Sequence, residues 1–206
     1  RNHMINLYNM DCMKAMSNAP NNHWDLAICD PPYGIGMGIG AGITRGGKKS
    51  DLYTPKRWDS TKPNKEYFQE LFRVSKNQII WGANYFSNML PPSRGWIYWE
   101  KKLGGNYADG ELAFTSFDTN LKQFTKRSDS GGRIHPTQKP VALYTWILSR
   151  YAKTGDKILD THLGSGSIAL ACHNMDFHLD GFEIDKEYFD AASKRLKNHQ
   201  RQLKLF

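Results

Sequence analysis

A strand, a glycine-rich turn and a helix follow one another late in the chain, and this order constrains the fold more than any other feature. Lys157–Asp160 is a short apolar run that predicts a buried strand, and it leads through Gly164 and Gly166 into the helical pattern Ile168–Cys172. The next strand-like run ends in an acid, Glu183. Such a turn brings backbone close to a nucleotide-like ligand, and such an acid commonly binds a ribose. The glycine spacing is neither that of the dinucleotide-binding turn nor that of a P-loop. The sequence therefore predicts a nucleoside-cofactor site on an α/β sheet.

The rest of the chain alternates strand-like and helix-like segments, as an α/β fold requires. Seven strands are predicted, over Ile5–Asn9, Asp25–Asp30, Gln78–Trp81, Trp96–Glu100, Leu112–Phe117, Lys157–Asp160 and Leu179–Glu183. Five helices are predicted, over Asp11–Ser17, Lys65–Val74, Val141–Tyr151, Ser165–His173 and Lys186–Leu203. The polar, glycine-containing segments 34–60 and 128–133 show neither pattern, and we expect residues 34–60 to form a mobile loop.

A rigid corner follows the predicted strand Asp25–Asp30. It consists of Asp30, two prolines (Pro31 and Pro32) and Tyr33. Prolines fix their φ angles and donate no backbone hydrogen bond, so a carboxylate, a free carbonyl oxygen and a flat ring stand side by side. This group suits a planar amino group. Asp30 could instead be a cap or turn residue and Tyr33 a packing aromatic, but the double proline and the downstream turn favour a catalytic corner.

Length and charge limit the class of protein. At 206 residues we expect one catalytic domain, residues 4–206, and we expect residues 1–3, ahead of Met4, to be a cloning remnant. The net charge of +8 and the aromatic content of 13% favour a polyanionic partner with bases that can stack, although a merely basic soluble protein would share the charge.

The three cysteines point to a reducing compartment. Cys12, Cys29 and Cys172 are scattered and lack C-x-x-C spacing, which argues against a disulfide framework and against a zinc site. No apolar run approaches the ~18 residues that span a bilayer, and no signal peptide is apparent. The sequence thus predicts a cytoplasmic protein without a bound metal and without a membrane segment.

With both sites in this order, the chain resembles the S-adenosylmethionine-dependent DNA amino-methyltransferases of the permuted, beta-class arrangement, in particular their small, phage-like members. Four further segments fit the resemblance, residues 9–12, 79–86, 96–101 and 135–140. Thr161 and His162 depart from it, because the family usually has Pro and Phe there. The resemblance implies a Rossmann-like, circularly permuted fold with a mixed, mostly parallel seven-stranded sheet and helices on both faces.

The resemblance also implies a reaction, the transfer of a methyl group from S-adenosylmethionine to N6 of a flipped-out adenine in double-stranded DNA. The Asp30 carboxylate and the Pro31 carbonyl would hold the amine for in-line attack while Tyr33 stacks on the base, with Pro32 completing the catalytic set. Asp rather than Ser at position 30 favours adenine by family resemblance alone. Cytosine N4, RNA adenine or a protein glutamine remain alternative targets, and a non-catalytic DNA-binding subunit remains an alternative function.

A cofactor-binding set follows from the resemblance. Its members are Asp11, Cys12, Asp30, Thr137, Lys139, Asp160, His162, Gly164, Ser165, Gly166, Glu183 and Ile184. Asp160 is expected near the cofactor's ammonium, Glu183 at its ribose and Asp11 at its adenine amino group. Asp11 could instead cap the helix that follows it, and His162 is favoured as a satisfied polar residue at a strand end.

The segment before the third helix is expected to hold the cofactor carboxylate. By the resemblance, Thr137 and Lys139 belong to this segment. Lys139 could instead be an ordinary lysine at a helix start.

Basic residues around the corner are candidate phosphate contacts. They are Lys48, Lys49, Lys56, Arg57, Lys122, Lys126, Arg127 and Arg133. Residues 101–134 are the expected target-recognition region, and because this region is short we expect limited sequence specificity or a homodimer that lends a second surface.

Overall fold

An eight-stranded mixed sheet forms the centre of the computed structural model, which describes residues 3–35, 62–102, 108–127, 134–135 and 137–202. The strands are β1 (Ile5–Tyr8), β2 (Trp24–Cys29), β3 (Ser75–Trp81), β4 (Trp96–Glu100), β5 (Gly110–Thr115), β6 (Lys122–Thr125), β7 (Lys157–Asp160) and β8 (His178–Phe182). The helices are α1 (Cys12–Asn18), α2 (Lys65–Val74), α3 (Val141–Tyr151), α4 (Ser167–Asn174) and α5 (Lys186–Gln202), and two 3-10 turns cover Ala83–Tyr85 and Ser87–Met89.

The strand directions confirm a mixed, mostly parallel sheet. The order is β1-β8-β7-β2-β3-β5-β4-β6, and β5 pairs antiparallel with both β3 and β4 while the other neighbours pair parallel. The start of β5 therefore lies at the edge where the other strands end. The predicted number of seven strands was wrong by one, because the edge strand β6 is only four residues long and too polar to stand out in the sequence.

Helices cover both faces of the sheet, as predicted. Alternate residues of the central strands enter two separate cores: Leu26 and Ile28 face α3 and α4, whereas Ala27 and Cys29 face α1 and α2. Because β2 is buried on both sides from Leu26 onward, residues 26–29 form an unbroken apolar run rather than an alternating one.

The predicted helix bounds agree with the structure for α2 and α3, and the start of α4 shows why glycines shift such bounds. Gly166 has a φ of +69° and stands directly before α4, so the helix begins at Ser167 rather than at Ser165. Cys12 begins α1 because the Asp11 side chain accepts a hydrogen bond from the Met13 N–H and caps the helix.

Several predictions fall on parts of the chain that the structure does not describe. These are most of the loop 34–60, the segment 128–133, and the candidate phosphate contacts Lys48, Lys49, Lys56, Arg57 and Arg133. Within the described ranges, no helix combines the length and apolar character of a bilayer span, and no group of His, Cys, Asp and Glu side chains is arranged to hold a metal ion. The three cysteines are free and buried.

Candidate active site

The carboxyl edge of the sheet gathers the acids that the sequence singles out. Asp30 follows β2, Asp160 ends β7 and Glu183 follows β8. The chain leaves β2 toward β3 on one side and β7 toward β8 on the other, so the strand order reverses between β2 and β7. Ligands of open α/β sheets bind at such a reversal. The fold thus places the predicted catalytic corner and the glycine-rich turn beside each other.

One cavity at this edge joins parts of both predicted sites. Nine predicted residues line it, namely Pro32 of the catalytic set and Asp30, Thr137, Lys139, His162, Gly164, Ser165, Glu183 and Ile184 of the cofactor-binding set. Asp11, Cys12, Asp160 and Gly166 are not among its lining residues. Five other residues line the same cavity and were not predicted as site residues, namely His135, Gln138, Tyr144, Leu163 and Tyr188.

A second pocket lies on the other side of the corner. Tyr33, Asn84, Tyr85, Lys101 and Glu111 contribute to its wall, and Thr137 is shared between the two pockets. The corner is therefore a partition with Asp30 and Pro32 facing the first cavity and Tyr33 facing the second pocket.

The Tyr33 ring is fixed by its neighbours. It stacks on Tyr85 with ring centroids 5.0 Å apart and an interplanar angle of 15°, and Phe86 meets its edge at 6.2 Å. Gly82, with a φ of +67°, packs directly against this ring, since a Cβ on Gly82 would lie 2.1 Å from a ring carbon of Tyr33. A glycine is required here for both reasons.

Both oxygens of the Asp30 carboxylate have partners. Oδ1 accepts a hydrogen bond from the Tyr33 hydroxyl at 2.6 Å, and Oδ2 lies 2.5 Å from Nζ of Lys139. Burial raises the pKa of Asp30 above its usual value, and the Lys139 ammonium opposes that rise. Burial alone would lower the pKa of Lys139, but the Asp30 and Glu111 carboxylates raise it, so this lysine stays charged.

The glycine-rich turn is tied to two elements that follow it. The Glu183 carboxylate accepts the N–H groups of Gly164 and Asp185, each at 2.9 Å. From α5, Arg195 donates to the Ser165 carbonyl and to the Ser167 hydroxyl, both at 2.9 Å. Gly164, with a φ of +50°, needs the conformational freedom of glycine. The turn is thereby held in place before any ligand arrives.

Asp160 and Glu183 make this edge of the sheet strongly acidic. Burial raises the pKa of Asp160 to about 8, and the charges of Asp30 and Glu183 add to the rise. Burial also raises the pKa of Glu183. A positively charged ligand would favour the ionised form of these acids and so lower their pKa values, because it relieves the repulsion between the carboxylates.

His162 is both a cavity residue and a hydrogen-bonded polar residue. Burial lowers its pKa to about 4, so the ring is neutral at pH 7. Its Nδ1 lies 2.9 Å from Oγ1 of Thr161, which in turn lies 2.7 Å from the Tyr67 hydroxyl. The unusual pair Thr161 and His162 therefore forms part of a small polar network under the turn.

Strand direction separates the described members of the predicted phosphate-binding set. Lys122 begins β6, at the edge away from Asp30. Lys126 and Arg127 follow the end of β6, at the edge where Asp30 and Glu183 lie. Of the three, only Lys126 and Arg127 therefore share an edge with the site.

The matches to known proteins agree with this architecture. The family model for DNA methylases, N6_N4_Mtase, matches residues 80–194, which is more than half of the chain. The chain belongs to this DNA methylase family. It is 26% identical to the Type II methyltransferase M.HpaI of Haemophilus parainfluenzae, with 90% of this chain and 72% of that protein aligned. It is also 26% identical to the putative methylase YubD of Escherichia coli K12, with 94% and 90% aligned.

Solved structures share the fold of this DNA methylase. The M1.HpyAVI–SAM complex superposes with a TM-score of 0.67 at 22% identity, covering 94% of this chain and 100% of that one. TTHA0409 of Thermus thermophilus, complexed with S-adenosyl-L-methionine, gives 0.61 at 15% identity, covering 95% and 96%. The cytosine-N4-specific PvuII DNA methyltransferase gives 0.64 at 11% identity, covering 96% and 92%. The predicted family and fold are confirmed.

Proposed function

We propose that this DNA methylase transfers the methyl group of S-adenosylmethionine to the N6 amino group of an adenine that has flipped out of double-stranded DNA. The observation that carries the proposal is the position of the corner, residues 30–33, between the first cavity and the second pocket. An amine held at Asp30 from the side of Tyr33 would face the acidic cavity on the other side of the same carboxylate. The two reactants could then meet without leaving their own pockets.

The residues of the first cavity fit S-adenosylmethionine by charge and by hydrogen bonding. Glu183 keeps spare lone pairs on both oxygens for ribose hydroxyls, because each oxygen accepts one backbone N–H. The exposed side chain of Ile184, at 71% relative accessibility, offers an apolar surface beside it for a flat ring. Asp160 does not line the cavity, but its carboxyl group, close to Asp30 and Glu183, would favour the positively charged methionine end. When bound, this cofactor supplies a methyl group on a positively charged sulfur, which becomes a neutral thioether as the nitrogen gains the methyl group and gives up a proton.

The second pocket suits the target base. A base inside a duplex cannot reach Asp30, so it must leave the stack at a cost of a few kcal/mol. Tyr33 would offset part of this cost by stacking, since its ring is already held by Tyr85 and Gly82. Asn84 and Lys101 bring amide and ammonium groups to the same pocket for the polar edge of the base.

The chain's own groups then prepare the amine. The Asp30 carboxylate and the Pro31 carbonyl accept its two N–H bonds, which favours a pyramidal nitrogen with a localised lone pair. Lys139 stays protonated and holds Oδ2, so Oδ1 is the oxygen turned toward Tyr33 and the second pocket. The proton released after transfer can pass to Asp30, whose pKa is raised by burial.

The identity of the methylated nucleoside tests the proposal. DNA incubated with the chain and S-adenosylmethionine would be digested and analysed by mass spectrometry, with RNA and protein treated in parallel. We expect N6-methyladenine from DNA. N4-methylcytosine would contradict the choice of base, and methylation confined to RNA or protein would contradict the choice of substrate.

A variant of the catalytic acid tests the mechanism. Asp30→Ala removes the side-chain acceptor of the amine, so we expect methyl transfer to fall at least about a hundredfold, the usual cost of losing one preorganised polar partner of the reacting group. Cofactor binding, measured by calorimetry, should persist. Asp118→Ala is the matched control, because it removes an exposed carboxylate that pairs with Arg94. An active Asp30→Ala enzyme would contradict the role of Asp30.

A further inference from the structure

A buried chain of alternating charges continues from Asp30 to the next strands. Lys139, whose side chain is 1% exposed, lies 2.5 Å from Oδ2 of Asp30 and 3.0 Å from Oε2 of Glu111. The other oxygen of Glu111 contacts the ammonium of Lys101. Lys139 also lies over the Trp81 ring, 5.2 Å from its centroid. One ammonium is therefore shared by two carboxylates, that of Asp30 after β2 and that of Glu111 in β5.

Glu111 reaches this place because β5 runs against the rest of the sheet. It is the second residue of β5, and the start of β5 lies beside the ends of β3 and β4. It also lines the pocket next to Tyr33. No motif in the sequence marks it.

We propose that Glu111 is a positioning residue for methyl transfer, which keeps the Lys139 ammonium shared and thereby preserves Asp30 as a strong acceptor for the target amine. This inference rests on the proposed function, because it assumes that Asp30 receives that amine.

The charges explain what Glu111 contributes. With Glu111 present, the cluster of Asp30, Glu111, Lys139 and Lys101 has two negative and two positive groups. Without it, the two ammonium groups face a single carboxylate, and the remaining excess positive charge opposes the positive charge that develops on the amine during the reaction. Lys139 would then pair with Asp30 alone and reduce its strength as an acceptor.

The pH dependence of the chemical step follows from the groups that face Asp30. They are Tyr33 from its own corner, Lys139 before α3, Tyr144 of α3, Asp160 of β7 and Glu111 of β5. The negative charge of Glu111 favours the protonated form of Asp30. Its loss would lower the pKa of Asp30, so the acid side of the rate profile would move to lower pH.

The test is the single-turnover methylation rate of Glu111→Gln across pH, with enzyme in excess over a DNA duplex. We expect the rate at neutral pH to fall about tenfold to a hundredfold, the range typical of losing a supporting partner. The acid limb, which is the low-pH side of the rate profile, should move to lower pH. The affinity for S-adenosylmethionine should stay within about twofold of that of the unmodified chain. Glu100→Gln, whose carboxylate contacts Gln123 and Thr125 instead, is the matched control and should behave as the unmodified chain.

Three results would overturn the inference: an unchanged rate, a lower rate with an unmoved acid limb, or a limb that moves to higher pH. If Glu111→Gln does not fold, Glu111→Asp takes its place in the test. This variant keeps the negative charge, so its acid limb must stay where it is in the unmodified chain, and a shifted limb would equally overturn the inference. An unmodified chain that methylates no DNA would instead reject the proposed function.

Discussion

The pKa of a carboxyl group at the carboxyl edge of the sheet depends on the groups that surround it. Asp160 is 3% exposed, and its Oδ1 accepts the N–H of His162 at 3.0 Å. Burial raises its pKa from 3.8 to about 8, with Asp30 and Glu183 reinforcing the effect. In the folded chain this acid thus binds its proton far more tightly than in the unfolded chain.

Asp160 should therefore make the cofactor-free protein less stable as the pH rises. Between pH values near 4 and near 8 the folded state holds a proton that the unfolded state has lost, so the free energy of unfolding falls across this window. Urea unfolding at about pH 5.5 and about pH 8 would measure the fall. Asp160→Asn, which cannot ionise, should show a clearly smaller fall. Equal slopes for the two proteins would show that Asp160 does not titrate in this range.

Site residues that belong to an unusual local motif could be predicted from the sequence. Site residues that reach the site only through the fold could not. Asp30 to Tyr33 stood out because two prolines after a buried acid are unusual, and Glu183 stood out because it ends a strand after a glycine-rich turn. Glu111 and Tyr144 carry no such local signal. Their place at the site depends on the direction of β5 and on the packing of α3, which no short pattern encodes.

At the scale of elements, Asp11 has two candidate roles, as the cap of α1 and as a contact for the cofactor's adenine. The Asp11 side chain caps α1 through the Met13 N–H at 2.9 Å, and Asp11 is absent from the cavity lining. This geometry supports the capping interpretation, whereas contact with the cofactor's adenine remains a prediction.

Variants of Asp11 can separate these roles. Asp11→Ala should lower the free energy of unfolding by about 1 kcal/mol, because one N–H of α1 loses its partner. Asp11→Ser keeps a capping oxygen and should stay near the unmodified stability. Denaturant titration measures the first effect and calorimetry with S-adenosylmethionine the second. A weakened cofactor affinity in a stable Asp11→Ser variant would establish the adenine contact, and unchanged stability in Asp11→Ala would contradict the cap.

Elements were predictable where the residues followed an amphipathic or apolar pattern. The amphipathic helix Lys65–Val74 and the buried strand Lys157–Asp160 were predicted with the bounds that the structure has. β6 was missed because its pairing with β4 rests on backbone hydrogen bonds rather than on an apolar face, with Gln123 and Thr125 exposed. Pairing partners far apart in sequence are not visible in a local window.

At the scale of the molecule, the net charge of +8 favours a polyanion, and the sheet direction decides which cations can act near the site. Lys126 and Arg127 lie at the edge shared with Asp30, whereas Lys122 lies at the opposite end of β6. Charge alone did not distinguish these three residues, and strand direction does.

DNA affinity should follow this division. Lys126→Ala and Arg127→Ala should each weaken binding to duplex DNA and reduce the slope of log affinity against log salt by about one, because one phosphate contact is lost. Lys122→Ala is the matched comparison on the same strand and should change the slope much less. Fluorescence anisotropy over a salt series gives the slopes. An effect of Lys122→Ala as large as the other two would mean that DNA also follows the far edge of the sheet.

The contact between Gly82 and the Tyr33 ring links two loops that are distant in sequence. A side chain added at position 82 to reshape the pocket for another substrate would push the aromatic ring of Tyr33 out of its place. Redesign would do better to begin at Asn84, which is exposed and lines the same pocket. The two loops therefore behave as one unit for engineering, although α2 and β3 lie between them in the sequence.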